Sequence, residues 1–449
     1  MTTGSPSDSR LDQLQNSQQS SLKIMIVAGE ASGDRHGASL ARALARLSSG
    51  ADLEMFGSGG EEMRAAGVET LVDARDVAII GIPEIARALG KLYRGYRKLL
   101  HAARTRRPSV VVLIDWPDFN IRLARKLHRE GFKIVYYISP QVWAWRGYRV
   151  RALRRYVDRM LVILPFEEEF FKHSGIKVEY VGHPLAEVVA ASASRVEFAA
   201  RIGLDPGRPI IALLPGSRRK EVQYHLPAML DAANRLQNAD CGLRIEESAR
   251  PKSEESQISN RKSAIRNPQS AIERSAIDES ALRPQFVVPV ASTIYREQVD
   301  AIVQKETRGS RLDLAIIEGN TYDALSHSKI AIVASGTATV EAALLGTPMV
   351  IVYRGSEFNW RLIRPLIKLD TFGMVNLIAG RRVVPELLQH DVTGEKIAQE
   401  VKQIMGDARR MAQVKADLAV VHDRLASGSG SASERAARAV LLMAVKTVW

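Results

Sequence analysis

The feature that most constrains the fold is a recurring short run of apolar residues, rich in Val and Ile, that breaks at a turn residue and gives way to a helical pattern. It occurs at Lys23–Ala28, Val110–Ile114, Lys133–Ile138, Met160–Leu164, Ile210–Leu214, Phe286–Val290, Ile330–Val333 and Met349–Tyr353. Alternating polarity would mark strands with one wet face. Continuous apolarity, with helix-length segments between the runs, marks parallel strands covered on both faces. The expected class is therefore doubly wound α/β.

A chain of 449 residues exceeds the usual size of one core, so two domains are expected. The strand pattern lapses between Pro184 and Pro209, a mostly helical stretch, which divides the chain into 22–190 and 191–426. Residues 1–21, rich in Ser, Gln and Asp, lack the apolar core of a secretory signal and read as a disordered tail. Across 240–283 the chain turns polar and repeats Ser-Ala-Ile at Ser263, Ser270 and Ser275. Such a low-complexity insertion has too little apolar surface to offset its ordering entropy. Within 427–449, a Gly/Ser-rich linker leads to a last helix from Glu434 that is able to pack on either domain.

Lys and Arg number 63 against 50 acids, a net +13 that suits phosphorylated ligands, nucleic acid or an anionic membrane face without choosing among them. Cys241 is the single cysteine, which rules out an intrachain disulfide and fits a reducing cytoplasm. No apolar run approaches the length of a membrane span, so any membrane contact is expected to be peripheral.

Two strand–turn–helix units carry the chemistry of the second half. In Ile210–Val222 the turn holds Gly216, Ser217 and Arg218, and the first helical turn beyond it has backbone N–H groups to offer an anion. Gly216 permits close backbone approach and Arg218 supplies a fork of donors for phosphate oxygens, although a plain βα turn with a solvated Arg has the same sequence. The second unit, Ile330–Glu341, turns through Ser335, Gly336 and Thr337. Both turns are expected at the carboxyl edge of one sheet, where open α/β sheets bind ligands, so together they can hold a nucleotide-sugar diphosphate. Glu341 either complements the helix macrodipole in the first turn or accepts hydrogen bonds from ribose hydroxyls; Ala338, three residues before it, excludes a capping box. No Asp-x-Asp pair or histidine cluster appears, so neither a metal nor another cofactor is expected.

In the first half, Ala28–Asp34 follows a strand but is not a dinucleotide fingerprint, and Glu30 would repel a pyrophosphate. The loop, with Ser32, Gly33 and Asp34, is either an acceptor-side turn offering Glu30 to sugar hydroxyls or a plain turn capped by Asp34. Asp115 ends a strand before Pro117 and is placed to take a proton from an attacking hydroxyl; Asp118 reads as an N-cap, with Asn120 just inside that helix. Trp143, in Ser139–Arg146, either stacks on a sugar, inserts into an interface or packs in the core, and His183 reads as a hinge or hydrogen-bonding residue. Between Leu89 and Leu100, apolar residues fall at helical spacing, with Lys91, Arg94, Arg97 and Lys98 opposite and Arg104, Arg106 and Arg107 following. This is either a core helix with a solvated basic face or a surface for anionic lipid, aided by Ala78–Ile82.

Through AGEASGD (28–34), DWPDFN (115–120), SPQVWAWR (139–146), LPGSR (214–218), SGTATVE (335–341) and NLIAGR (376–381), the sequence resembles the lipid-A-disaccharide synthase family of GT-B-fold glycosyltransferases. The likeness runs from Lys23 to the C-terminus, apart from the insertion. It implies two Rossmann-like domains with a cleft between them. It further implies transfer of a 2,3-diacylglucosamine unit from UDP to 2,3-diacylglucosamine 1-phosphate, with inversion and no metal, at the inner face of the cytoplasmic membrane of Gram-negative bacteria. At matching positions it implies Asp115 as base, Arg218, Glu341 and Asn376 on the UDP-sugar, and Glu30 in the cleft; homodimers are known in the family. A UDP-sugar 2-epimerase of the same fold would share the UDP loops but need no acceptor. A basic, non-catalytic membrane-surface protein would not need strand-end acids, and no nucleic-acid motif accompanies the charge.

Overall fold

The computed structural model describes residues 21–48, 52–73, 85–142, 147–238, 283–357, 360–361, 371–426 and 428–445. The N-terminal tail, nearly all of the 240–283 insertion, the Ala78–Ile82 run and Trp143 through Arg146 lie outside the described residues.

Two wholly parallel sheets organise the chain. The first contains β1 (Leu22–Val27), β2 (Leu53–Gly59), β3 (Glu69–Asp73), β4 (Val110–Ile114), β5 (Ile134–Tyr137), β6 (Arg159–Val162) and β7 (Val178–Tyr180), in the spatial order β3-β2-β1-β4-β5-β6-β7. The second contains β8 (Ile210–Leu214), β9 (Gln285–Val290), β10 (Leu314–Glu318), β11 (Ile330–Ala334), β12 (Met349–Tyr353) and β13 (Glu386–Leu388), in the order β10-β9-β8-β11-β12-β13. Each sheet reverses its direction of growth once, between β1 and β4 in the first and between β8 and β11 in the second. Ligands of such sheets bind beyond the carboxyl ends of the strands at this switch point.

The apolar runs have a direct cause. Ile24 and Ile26 pack on one side of the first sheet, against the helices Ala31–Leu47 and Ala432–Val445. Met25 and Val27, between them, pack on the other side with Leu99, Leu123 and Leu153. With both faces buried, neither residue parity can be polar. β8 repeats the arrangement, with Ile211 and Leu213 facing one core and Ile210, Ala212 and Leu214 the other.

The last helix begins at Ala432, two residues before Glu434, and packs on the first sheet rather than the second. Ala436, Val440, Leu441 and Ala444 are buried there. Arg435 Nε donates to the Val181 carbonyl (2.8 Å), Lys133 Nζ donates to the Met443 carbonyl (3.2 Å), and Arg46 pairs with Glu434 (3.1 Å). The chain thus crosses between the sheets twice, once after β7 and once after the helix Ala408–Ala426.

Candidate active site

At the first switch point, β1 leads through Gly29 and Glu30 into the helix Ala31–Leu47, so Ser32, Gly33 and Asp34 lie in its first turn rather than in an open loop. Asp34 is buried and does not face the cleft. Its carboxylate accepts from the backbone N–H groups of Gly60 (2.6 Å), Glu62 (3.1 Å) and Met63 (3.2 Å), fastening the start of the helix Glu61–Ala65. The expected cap of its own helix is therefore a cap of the next one. Glu30 stays exposed and makes no side-chain capping bond.

Asp115 follows β4 on the other side of the switch point, half-buried. Burial first, and the negative charge of Glu30 second, lift its pKa from the ordinary 3.8 to about 6. A carboxylate in this state is a stronger base than an exposed one and still ionised near neutral pH. Asp115 and Trp116 both adopt left-handed backbone (φ 44° and 48°), and Trp116 stacks on Phe119 with ring centroids 3.9 Å apart. A Cβ on Gly29 would lie 2.1 Å from the Trp116 ring, so only glycine lets the indole sit there.

The helix after this turn starts at Pro117, with Trp116 in the N-cap position, which removes Asp118 from the capping role expected of it. Asp118 lies exposed in the first turn and pairs with the buried Arg149, bracing the segment that follows β5. Asn120 is fully buried; its Nδ2 donates to the carbonyls of Ile114 (3.1 Å) and Asp115 (2.8 Å), so it supports the base from beneath. Ser139 Oγ donates to buried Glu167 (2.5 Å), a carboxylate that sequence reasoning passed over.

At the second switch point, Gly216 takes φ 121°, which favours glycine, and a Cβ there would lie 2.6 Å from the Glu221 carboxylate. The donors around it are differently used. Glu221, in the first turn of the helix Arg219–Asn238, accepts from Ser217 N–H (3.0 Å), Arg218 N–H (3.1 Å) and the Arg218 guanidinium (2.9 Å). Its carboxylate sits where the sequence suggested an anion would bind, and Arg218 is otherwise exposed. His225, which nothing in the sequence singled out, staples the loop from below: Nδ1 donates to the Pro215 carbonyl (2.8 Å) while Nε2 accepts from Arg354 N–H (2.9 Å). Burial lowers its pKa, consistent with a neutral ring.

Ser335 and Gly336 lead from β11 into the helix Thr337–Leu344, so Thr337 opens it and Glu341 lies in its second turn, not its first. Burial raises the Glu341 pKa, opposed by Arg35 and by the hydroxyl of Tyr322, which donates to it. Arg35 belongs to the helix that opens beside Glu30, so the two switch points face each other closely enough for a charge on one domain to act on the other. Asn376 stands apart. It is fully buried; Nδ2 donates to Val384 O (2.9 Å) and Glu386 (2.6 Å), and Oδ1 accepts from Val383 N–H (2.8 Å) and Val384 N–H (3.1 Å). An amide side chain has two donor hydrogens and two lone pairs, and all four are spent inside the protein. Asn376 thereby ties the helix Met374–Ala379 to the segment from Val383 to Glu386.

His183 is buried, its pKa lowered by desolvation to about 3, and it joins the two crossing segments: its N–H donates to Leu425 O (3.1 Å) and its Nδ1 accepts from Leu185 N–H (3.2 Å). Among the described residues no group of His, Cys, Asp and Glu side chains could hold a metal ion.

Two doubly wound domains presenting their carboxyl-edge loops to one cleft define the GT-B architecture. Among solved structures, a putative UDP-N-acetylglucosamine 2-epimerase from Listeria monocytogenes matches with TM-score 0.57 over 96% of this chain and 97% of that one, at 11% identity. A UDP-glucosyltransferase from Polygonum tinctorium matches with TM-score 0.56 over 96% and 100%, at 13% identity. These likenesses show the fold alone. The profile of the lipid-A-disaccharide synthetase family matches residues 24–283 and 259–440. A lipid-A-disaccharide synthase from Koribacter versatilis is 44% identical over 94% of this chain and 99% of its own length. The chain belongs to the lipid-A-disaccharide synthetase family.

Proposed function

We propose that this protein condenses UDP-2,3-diacylglucosamine with 2,3-diacylglucosamine 1-phosphate, giving the β-1,6-linked disaccharide 1-phosphate and UDP. Membership of the family supports the reaction. The observation that carries the mechanism is Asp115, a partly desolvated carboxylate that follows β4, near enough to Glu30 for that charge to raise its pKa.

The acceptor's 6-hydroxyl attacks C1 of the donor sugar while the C1–O bond to UDP breaks on the opposite face, inverting the centre. Asp115 takes the hydroxyl proton, and UDP departs with the bonding pair. Charge developing on the diphosphate is met by Arg218 and by the N–H groups of the helix that opens at Thr337. Glu341, held by Tyr322, receives the ribose hydroxyls. Glu30 serves twice, accepting from the acceptor sugar and raising the basicity of Asp115.

Acylated substrates call for a lipid-facing surface, and the helix Ile85–Arg106 fits one. Leu92, Tyr96, Leu99 and Leu100 pack inward, while Arg94, Arg97 and Lys98 are exposed beside Tyr93. The basic patch is smaller than the sequence implied, because Arg104 pairs with Glu130 and Arg106 with Glu54 and Glu69. No described helix is long and apolar enough to cross a membrane, which fits peripheral attachment at the cytoplasmic face. Incubation with radiolabelled donor and acceptor in detergent micelles tests the reaction. Disaccharide phosphate is expected; epimerised donor without condensation would overturn the proposal.

A further inference from the structure

Two consecutive non-glycine residues in left-handed backbone, Asp115 and Trp116, cost of order 1–3 kcal/mol each and persist only where neighbours over-determine them. The Asp115 N–H donates to the Tyr137 carbonyl (3.1 Å), the Asn120 N–H donates to the Trp116 carbonyl (3.0 Å), and two side chains converge on one further atom of the turn, the Asp115 carbonyl oxygen. Asn120 Nδ2 donates to it at 2.8 Å and Tyr136 Oη donates to it at 2.5 Å. Tyr136 lies on β5, where its backbone is in register with Leu113 of β4, and its ring is fully buried among apolar neighbours. Phenylalanine would fill that space equally well. A fully buried phenol needs a partner, and here the partner is the backbone of the residue that acts as base.

The geometry points to Tyr136 as a positioning residue for Asp115: its hydroxyl fixes the strained strand-end turn so that the carboxylate faces the cleft. The inference rests on the assignment of Asp115 as base. Tyr136 touches neither substrate nor reacting atoms and acts only through the carbonyl it holds. Without its hydroxyl the Asp115 carbonyl keeps Asn120 as its one side-chain donor, the turn loosens, the carboxylate relaxes toward water, and misplacement of about 1 Å at a reacting group costs up to about 10²-fold in rate.

The test is Tyr136→Phe, measured beside Asp115→Asn and the double variant. Tyr136→Phe is expected to lower kcat by about tenfold or more, leave the KM for the UDP-sugar unchanged, and move the acidic limb of the kcat profile to lower pH as Asp115 becomes better solvated. In the Asp115→Asn background the same substitution is expected to cause no further loss, because the two act as one unit. Full turnover in Tyr136→Phe, an equal loss in both backgrounds, or a loss that merely follows a lowered Tm with the acidic limb unmoved would each overturn the positioning role. Near-normal turnover in Asp115→Asn would instead remove the base assignment on which it rests.

Discussion

Replacing Asp115 by Asn is expected to make the enzyme inactive and more stable at the same time. Desolvation and the neighbouring Glu30 raise the Asp115 pKa from 3.8 to about 6, roughly two units, and each unit corresponds to about 1.4 kcal/mol, so the ionised carboxylate costs the native state about 3 kcal/mol. The sign follows from proton binding. Between pH 4 and pH 6 the native protein holds this proton while the unfolded chain releases it, so the contribution of Asp115 to stability falls as pH rises through that window and the full cost is present at pH 8. Asn keeps the shape and removes the charge. Denaturant titration at pH 8 should therefore show the variant more stable by as much as about 3 kcal/mol, with the difference shrinking toward zero near pH 4. Turnover at pH 8 should drop by at least about 10²-fold, the usual contribution of a positioned base. A variant no more stable than the parent at pH 8, or a difference independent of pH, would show that the carboxylate is not desolvated and would remove the physical basis for its activation.

Further outcomes follow from neighbouring contacts. Arg218→Ala should weaken UDP binding by about 10- to 100-fold in calorimetry, the range of a charge-assisted contact worth about 1.5–3 kcal/mol. Glu341→Gln should lower affinity for the UDP-sugar without lowering Tm, whereas Asn376→Ala should lower Tm, because it leaves Val383 N–H and Val384 N–H without their buried acceptor at about 1–3 kcal/mol per group. Gly29→Ala should displace Trp116 and destabilise the first domain by about 1–3 kcal/mol in urea unfolding. Leu441→Ala, in the terminal helix, should cost about 2–5 kcal/mol in the same assay, and an unchanged midpoint would contradict its burial against the first sheet.

The central strands were legible because burial on both faces leaves no room for polar residues. Edge strands were not. β3, β10 and β13 sit at or beside sheet margins and carry Glu69, Asp73, Glu318 and Glu386, while β2 is buried yet broken by Gly57 and Gly59. Asp115 and Glu30 announced themselves as acids at strand ends. Tyr136 could not, since a phenol inside an apolar run looks like any other core aromatic until the fold brings the neighbouring carbonyl to it. Asp34 and Asp118 were misread for a related reason: the helices they were expected to cap begin at Ala31 and Pro117, earlier than the acids suggest. His225 gained its role only when the segments after β8 and β12 came together on either side of its ring, whereas Glu221 closes a local contact with Ser217 and Arg218, four and three residues before it, that the anion-site reading of the loop passed over.

The return of the terminal helix to the first sheet carries a consequence for synthesis on the ribosome. Seven strands of the first domain emerge early, but the helix that covers Ile24, Ile26 and Val112 is translated only after the entire second domain. Until that helix emerges, the part of this face that the helix Ala31–Leu47 leaves uncovered waits open. Premature termination just before Ala432 would thus damage the first half of the protein while leaving the second intact, an inversion of the usual expectation that a truncated chain loses its last domain.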